Sequence, residues 1–154
     1  MTGVTPAWML DRATVPFQGE GLISQPLKSD FLFVYGILKR GFILDLTRRA
    51  EFIGEAMLPS AILYKIGSGV GLRFIEDNNR KVYGEVFKIP SRLWEWLDDI
   101  ESNGVAYTRK IVEVAVGNPE GPDYGWMMAW VYEHTFPGMK YDRPILNGVY
   151  NAHI

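Results

Sequence analysis

Glu101 is the residue whose sequence position best suits acid–base chemistry. Residues 91–101 predict an amphipathic helix, and on its wheel Glu101 projects between Leu97 and Trp94, inside the apolar arc. The other charged residues of this helix fall on the opposite, solvated arc: Arg92, Glu95, Asp98 and Asp99. Burial and the negative end of a helix both raise a carboxyl pKa toward the range that acid–base catalysis uses near pH 7. The alternative is a frayed last turn that leaves Glu101 in water.

Two residues of the next predicted strand are candidate partners. Tyr107 and Arg109 lie two positions apart in a strand predicted over 107–116, so they share a face. Arg109 would either bind a substrate carboxylate through paired hydrogen bonds or neutralise Glu101, which would lower the pKa of Glu101. The sequence leaves both roles open.

The stretch 31–41, FLFVYGILKRG, predicts a buried strand that ends at Gly36. Backbone N–H groups freed just beyond such a strand can form a small anion-binding pocket, and Lys39 and Arg40 follow directly. The alternative is an ordinary strand followed by an ordinary turn.

Glu85 is a candidate second acid. In the strand predicted over 81–89 it shares a face with three apolar residues by the period-two rule: Tyr83, Phe87 and Ile89. The glycine run at 67–71 leads into another predicted strand and not into a helix. That order argues against a phosphate cradle and favours a loop between strands that borders a pocket.

Composition excludes several other functions. The chain has 154 residues, no cysteine, two histidines without metal-ligand spacing, and a net charge of -2 without a basic block. We therefore expect no metal, no cofactor, no nucleic-acid partner and no membrane partner. In the absence of a visible secretory signal or an apolar span, we expect a cytoplasmic location.

The coarse pattern predicts about seven strands, one clear helix at 91–101 started by Pro90 and capped by Ser91, and a short helical turn at 42–50. Short connections favour antiparallel hairpins. The predicted fold is α+β: a small mixed, mostly antiparallel β-barrel of about six to seven strands with one main flanking helix. We expect 1–30 to be an N-terminal arm or extension and 31–154 to be a single domain closed by an irregular segment.

Four short motifs together resemble the gamma-glutamylcyclotransferase-like family. Their order and spacing are similar to those of that family over roughly residues 31–134. The motifs are Val34-Tyr35-Gly36-Ile37-Leu38, Gly84-Glu85-Val86-Phe87, Leu97-Asp98-Asp99-Ile100-Glu101 and Tyr107-Thr108-Arg109, and the closing strand with Val131-Tyr132 also matches.

The resemblance implies a small mixed barrel and a specific reaction. Active members release 5-oxoproline from gamma-glutamyl amines or peptides, because the substrate's own α-amine attacks its γ-carbonyl. The resemblance makes Glu101 the general acid/base and assigns substrate binding to the backbone of Tyr35, Gly36, Ile37 and Leu38. Since the nucleophile belongs to the substrate, the protein needs no serine, cysteine or metal.

Ile37 stands where the family usually has Ser or Thr. This difference favours an alternative, a non-catalytic relative that binds a small acidic metabolite or a protein partner in the same pocket. A third hypothesis is an unrelated barrel in which Glu101 is solvated.

Overall fold

The computed structural model describes residues 29–36, 38–39, 45–67, 69–101, 106–117 and 124–150. All but the last two residues of the predicted N-terminal arm lie outside this part. The strands are β1 (Phe31–Val34), β2 (Glu51–Pro59), β3 (Ala61–Ile66), β4 (Gly69–Phe74), β5 (Lys81–Lys88), β6 (Tyr107–Val116), β7 (Gly125–His134) and β8 (Pro144–Ile145). Helix α1 spans Trp94–Ile100, and two 3-10 turns span Leu46–Arg48 and Ser91–Leu93. None of the helices in the described ranges is long and apolar enough to cross a membrane.

Five strands close a barrel in the order β1-β5-β2-β6-β7, and β4-β3-β8 form a second sheet. The barrel closes through a parallel contact between β1 and β7 at Leu32 and Trp130, whereas all its other strand pairs are antiparallel. The predicted α+β barrel with one main helix is confirmed, with the strands divided between two sheets. Strand β8 lies in the closing segment predicted to be irregular, and its two residues, one of them proline, are too few to show a period-two pattern.

The structure of β5 corrects the prediction that Glu85 lies on an otherwise apolar face. Val82 and Val86 point into the barrel core, so the face that carries Glu85 is the outer one. Phe87 is buried on that face in the cluster around α1, but Tyr83 is 41% exposed. The outer face of β5 is thus apolar only where helix α1 packs on it. Glu85 lies on this outer face and is half-buried.

Helix α1 packs on the outer side of β1 and β5 because its one fully buried residue, Leu97, joins Leu32, Val34 and Phe87 in an apolar cluster. Ser91 does not cap the helix as predicted. The chain enters through a 3-10 turn that already contains Ser91, so Pro90 precedes the turn and Leu93 is the N-cap of α1, and neither makes a side-chain capping hydrogen bond. The helix ends at Glu101, whose N–H donates to Leu97 O at 3.0 Å.

Gly84 allows β5 to approach the end of β1, just before the bend at Gly36. A Cβ at Gly84 would lie 2.1 Å from Val34 O and 2.9 Å from Phe33 Cζ. We expect Gly84→Ala to lower the free energy of unfolding by about 1–3 kcal/mol, the usual cost of overpacking. Denaturant unfolding would measure this loss, with Gly125→Ala as the control, since a Cβ there meets no atom within 4 Å. Equal stability of the two variants would contradict the close packing.

Candidate active site

A cavity of about 110 Å³ lies where the bend after β1, the start of β4 and the end of α1 meet. This volume is of the order of a cavity that holds a small ring. Apolar and tyrosine side chains form most of its wall, and Glu101 is the one acid among the described lining residues. The wall is made by Phe33, Val34, Tyr35, Gly36, Leu38, Gly69, Val70, Glu101, Tyr107 and Tyr132.

The bend after β1 is fixed by two hydrogen bonds. Lys39 N–H donates to Gly36 O at 3.0 Å, which closes the turn, and the Tyr35 hydroxyl donates to Tyr132 O at 2.6 Å. The bend packs closely on β4, because a Cβ at Gly36 would lie 3.0 Å from Val70 Cγ1. Burial, followed by the neighbouring Tyr107, raises the pKa of Tyr35 well above its ordinary value. Tyr35 therefore stays neutral and holds the bend against β7.

Tyr107 fixes the opposite wall. Its hydroxyl donates to Val70 O at 2.8 Å, which ties the first residue of β6 to the start of β4. Its ring and the His134 ring lie nearly perpendicular to each other, with the centroids 4.9 Å apart. Burial raises the pKa of Tyr107, and the nearby Glu101 adds to the shift. Tyr107 is thus a neutral wall residue at physiological pH.

Glu101 is half-buried at the end of α1 and faces the cavity. Burial raises the pKa of its carboxyl from 4.5 to about 7. A carboxyl group with this pKa is populated in both protonation states at neutral pH, so it can accept and return a proton there.

Arg109 does not line this cavity. Its guanidinium binds Asp98, with Nη2–Oδ2 and Nε–Oδ1 distances of 3.2 Å, and it stacks between the rings of Trp94 and Trp130 at 4.5 and 4.7 Å. This position supports neither of the two roles that the sequence left open for Arg109, binding a substrate carboxylate or neutralising Glu101, and both stay predictions. Asp98 was predicted to be solvated, but its side chain is partly buried and accepts hydrogen bonds from both Arg109 and the Tyr132 hydroxyl.

The structure brings five of the predicted site residues into one cavity: Tyr35, Gly36, Leu38, Glu101 and Tyr107. Ile37 lies outside the described residues. Glu85 lines a different cleft of about 610 Å³, together with Lys39 and Glu55. It is not among the described lining residues of the cavity at Glu101, so the structure gives no support to its role as a second acid there.

Sequence reasoning did not select Tyr132 and Val70 as site residues, although both line the cavity. A signal for Tyr132 was present, because it shares the outer face of β7 with Trp130 in a strand that is apolar on both faces. Val70 sits in the glycine run, where the chain turns at Gly67 with φ +59° and enters β4 at Gly69.

Metal binding has no visible support in the ranges that the structure describes. No group of three or more His, Cys, Asp or Glu side chains is placed to hold an ion there. The expectation that the protein needs neither a metal nor a cofactor stays a prediction.

The fold and this cavity define a known class of proteins. The chain belongs to the gamma-glutamyl cyclotransferase, AIG2-like family, whose sequence model matches residues 32–152. This match confirms the resemblance seen in the motifs. A comparison with curated protein sequences finds no match.

Solved structures show the same fold. An uncharacterized protein from Pyrococcus horikoshii is 25% identical, with a TM-score of 0.56 over 79% of this chain and 89% of that one. An AIG2-like protein from Mus musculus is 24% identical, with a TM-score of 0.57 over 79% of this chain and 88% of that one. A gamma-glutamyl cyclotransferase is 19% identical, with a TM-score of 0.51 over 76% of this chain and 70% of that one.

Proposed function

We propose that this protein is a gamma-glutamylcyclotransferase that releases 5-oxoproline from a gamma-glutamyl amine or peptide, with Glu101 as the general acid/base. The observation that carries the proposal is a carboxyl group with a pKa of about 7 in a cavity beside the Tyr35–Gly36 bend. Membership of a family that includes gamma-glutamyl cyclotransferases supports the same conclusion. We place the reaction in the cytoplasm and expect a small-molecule substrate.

The ionisable groups of the wall support Glu101 in this role. The described lining residues that can titrate are Glu101 and three tyrosines: Tyr35, Tyr107 and Tyr132. The pKa of each tyrosine is raised, in each case mainly by burial, which takes it further from neutrality. Glu101 is therefore the one group of this set that can exchange a proton at pH 7.

The proposed reaction forms a bond from the α-amine nitrogen to the γ-carbonyl carbon and breaks the bond from that carbon to the leaving amine. Glu101 as carboxylate accepts a proton from the α-ammonium, which frees the lone pair for attack. As carboxylic acid, it then donates a proton to the departing nitrogen. The attacking nitrogen loses a second proton to water as the lactam forms, and the released amine takes up a second proton from water as it becomes an ammonium ion. Over the whole reaction two protons leave the attacking nitrogen and two arrive on the leaving one, so no external acid or base is consumed.

The walls contribute geometry and exclude water. Cyclisation needs the amine held close to the γ-carbonyl, and a narrow cavity restricts the extended conformations of the glutamyl chain. Backbone N–H groups at the bend are proposed to bind the carbonyl oxygen as it becomes negative. The small volume suits the glutamyl part alone, so the leaving amine would project out of the cavity.

The test is 5-oxoproline formation from a panel of gamma-glutamyl amines and gamma-glutamyl dipeptides. Release from at least one of them, in proportion to enzyme, is the expected result. Thermal stabilisation by these compounds without any turnover would overturn the catalytic proposal and favour the non-catalytic binder instead.

The pH dependence of kcat/KM provides a separate prediction. Because the base must be ionised in the free enzyme, kcat/KM should fall about tenfold per pH unit below the pKa of about 7 assigned to Glu101. Initial rates between pH 5 and 9 at substrate concentrations well below KM would measure this limb. An acid limb centred near 4.5 would show that the carboxyl group is solvated during the reaction.

A further inference from the structure

Tyr132 contacts both halves of the cavity, which come from distant parts of the chain. Its main-chain oxygen accepts from the Tyr35 hydroxyl at 2.6 Å, next to the bend at Gly36. Its own hydroxyl donates to Asp98 Oδ1 at 2.6 Å, three residues before Glu101 on α1. One residue of β7 therefore connects the bend to the helix that carries the acid.

Asp98 is itself held firmly. The guanidinium of Arg109 on β6 approaches both of its carboxylate oxygens at 3.2 Å. The same guanidinium is enclosed between Trp94 of α1 and Trp130 of β7. Hydrogen bonds to an ionised acceptor are stronger than neutral ones, so the bond from Tyr132 to Asp98 fixes the end of α1 on the barrel.

Asp98 makes the side-chain hydrogen bonds that join this helix to the barrel in the described part of the chain. Helix α1 is only seven residues long, with Leu97 as its one fully buried side chain. The side-chain hydrogen bonds seen from α1 to the barrel in the described ranges are those of Asp98 with Tyr132 and Arg109, and cation contacts of Arg109 with Trp94 and of Arg49 with Trp96 add to them. A change at Asp98 or Tyr132 would therefore move Glu101 relative to the bend.

We propose that Tyr132 and Asp98 are positioning residues, which set the placement of Glu101 against the Tyr35–Gly36 bend without touching the substrate's reacting atoms themselves. The rate part of this inference rests on the proposed function. The structural part is independent of the proposed function, because it concerns only the position of the Glu101 carboxyl and its exposure to solvent.

The experiment compares Tyr132→Phe with wild type and with Tyr83→Phe, which removes the hydroxyl of a tyrosine that is 41% exposed and outside this cavity. Carbon-13 NMR of the labelled Glu101 carboxyl gives its pKa in each protein, whether or not the protein is active. We expect Tyr132→Phe to lower that pKa by about one unit or more, because water reaches a displaced carboxyl. Tyr132→Phe removes no charged group. A lower Glu101 pKa in this variant therefore cannot result from the loss of a negative charge near Glu101.

The kinetic readout is a split between kcat and KM. We expect kcat for 5-oxoproline release to fall on the order of 10-fold or more in Tyr132→Phe, with KM changed less, because the variant misplaces the acid and leaves the bend in place. Asp98→Asn should change the pKa and kcat in the same directions, and both should stay at wild-type values in Tyr83→Phe. Circular dichroism and thermal unfolding check that each variant is folded.

An unchanged Glu101 pKa in folded Tyr132→Phe and Asp98→Asn would overturn the positioning role. An unchanged kcat in an active enzyme would overturn it as well. A protein without turnover, whose Glu101 pKa still falls in Tyr132→Phe but not in Tyr83→Phe, would instead disprove the proposed function and support the positioning role.

Discussion

Glu101→Gln is expected to slow 5-oxoproline release by about 10²–10⁴-fold, the usual contribution of a positioned general acid–base group. Glutamine has nearly the same shape and can still accept a hydrogen bond, but it has no proton to exchange near pH 7. The described wall contains no substitute, because the other titratable groups are tyrosines with a raised pKa. The loss should fall mainly on kcat, and the acid limb of the pH profile should disappear with it.

Glu95→Gln is the matched control for this variant. Glu95 lies on the same helix and is exposed, so its replacement should leave the rate within about twofold. Steady-state kinetics of all three proteins on one gamma-glutamyl substrate would provide the comparison. Release by Glu101→Gln at a rate within a few-fold of wild type would remove Glu101 from the mechanism.

The same substitution should make the protein more stable above pH 7. The Glu101 pKa is raised from 4.5 to about 7 in the folded state, so the folded protein binds one more proton than the unfolded chain between these values. The free energy of unfolding of the wild type, relative to that of Glu101→Gln, therefore falls as pH rises through this window. At pH 8 the full pKa shift corresponds to a free energy of unfolding about 3 kcal/mol higher for Glu101→Gln than for wild type. At pH 4 the two proteins should have nearly the same free energy of unfolding.

Denaturant unfolding of wild type and Glu101→Gln at pH 4, 6 and 8 would measure this difference. The exposed Glu95→Gln should show no comparable trend across the same pH values, which separates burial from a general effect of losing one charge. A constant difference between Glu101→Gln and wild type would show that Glu101 has the same pKa in the folded and unfolded states. Greater stability at pH 8 would also mean that a slow Glu101→Gln enzyme is not slow because it is unfolded.

The barrel could be predicted from sequence because its strands are bounded by clear turn signals and are rich in β-branched residues. Strand β6, with Ile111, Val112 and Val114, was predicted with its observed bounds. Other features depend on tertiary contacts that no local pattern shows. The barrel core buries the face of β5 that carries Val82 and Val86, and α1 covers only part of the opposite face, so the apolar alternation around Glu85 did not indicate how its own face is covered.

The site was partly predictable for a similar reason. The helical wheel placed Glu101 on the apolar side of α1, and the structure has it half-buried against the cavity. The wheel failed for Asp98, because it ranks positions by hydrophobicity and cannot detect that Arg109 and Tyr132 come from other strands to bind a carboxylate. Such cross-strand polar clusters depend on register, which one sequence does not specify for residues far apart in the chain.

The stack of Arg109 between Trp94 and Trp130 has an optical consequence. One indole belongs to the helix and the other to the barrel, and the cation between them lies within 5 Å of both ring centres. Separation of the helix from the barrel would change the surroundings of both fluorophores together. Tryptophan fluorescence of Trp94 and Trp130 should therefore report whether helix α1, which precedes Glu101, is packed on the barrel.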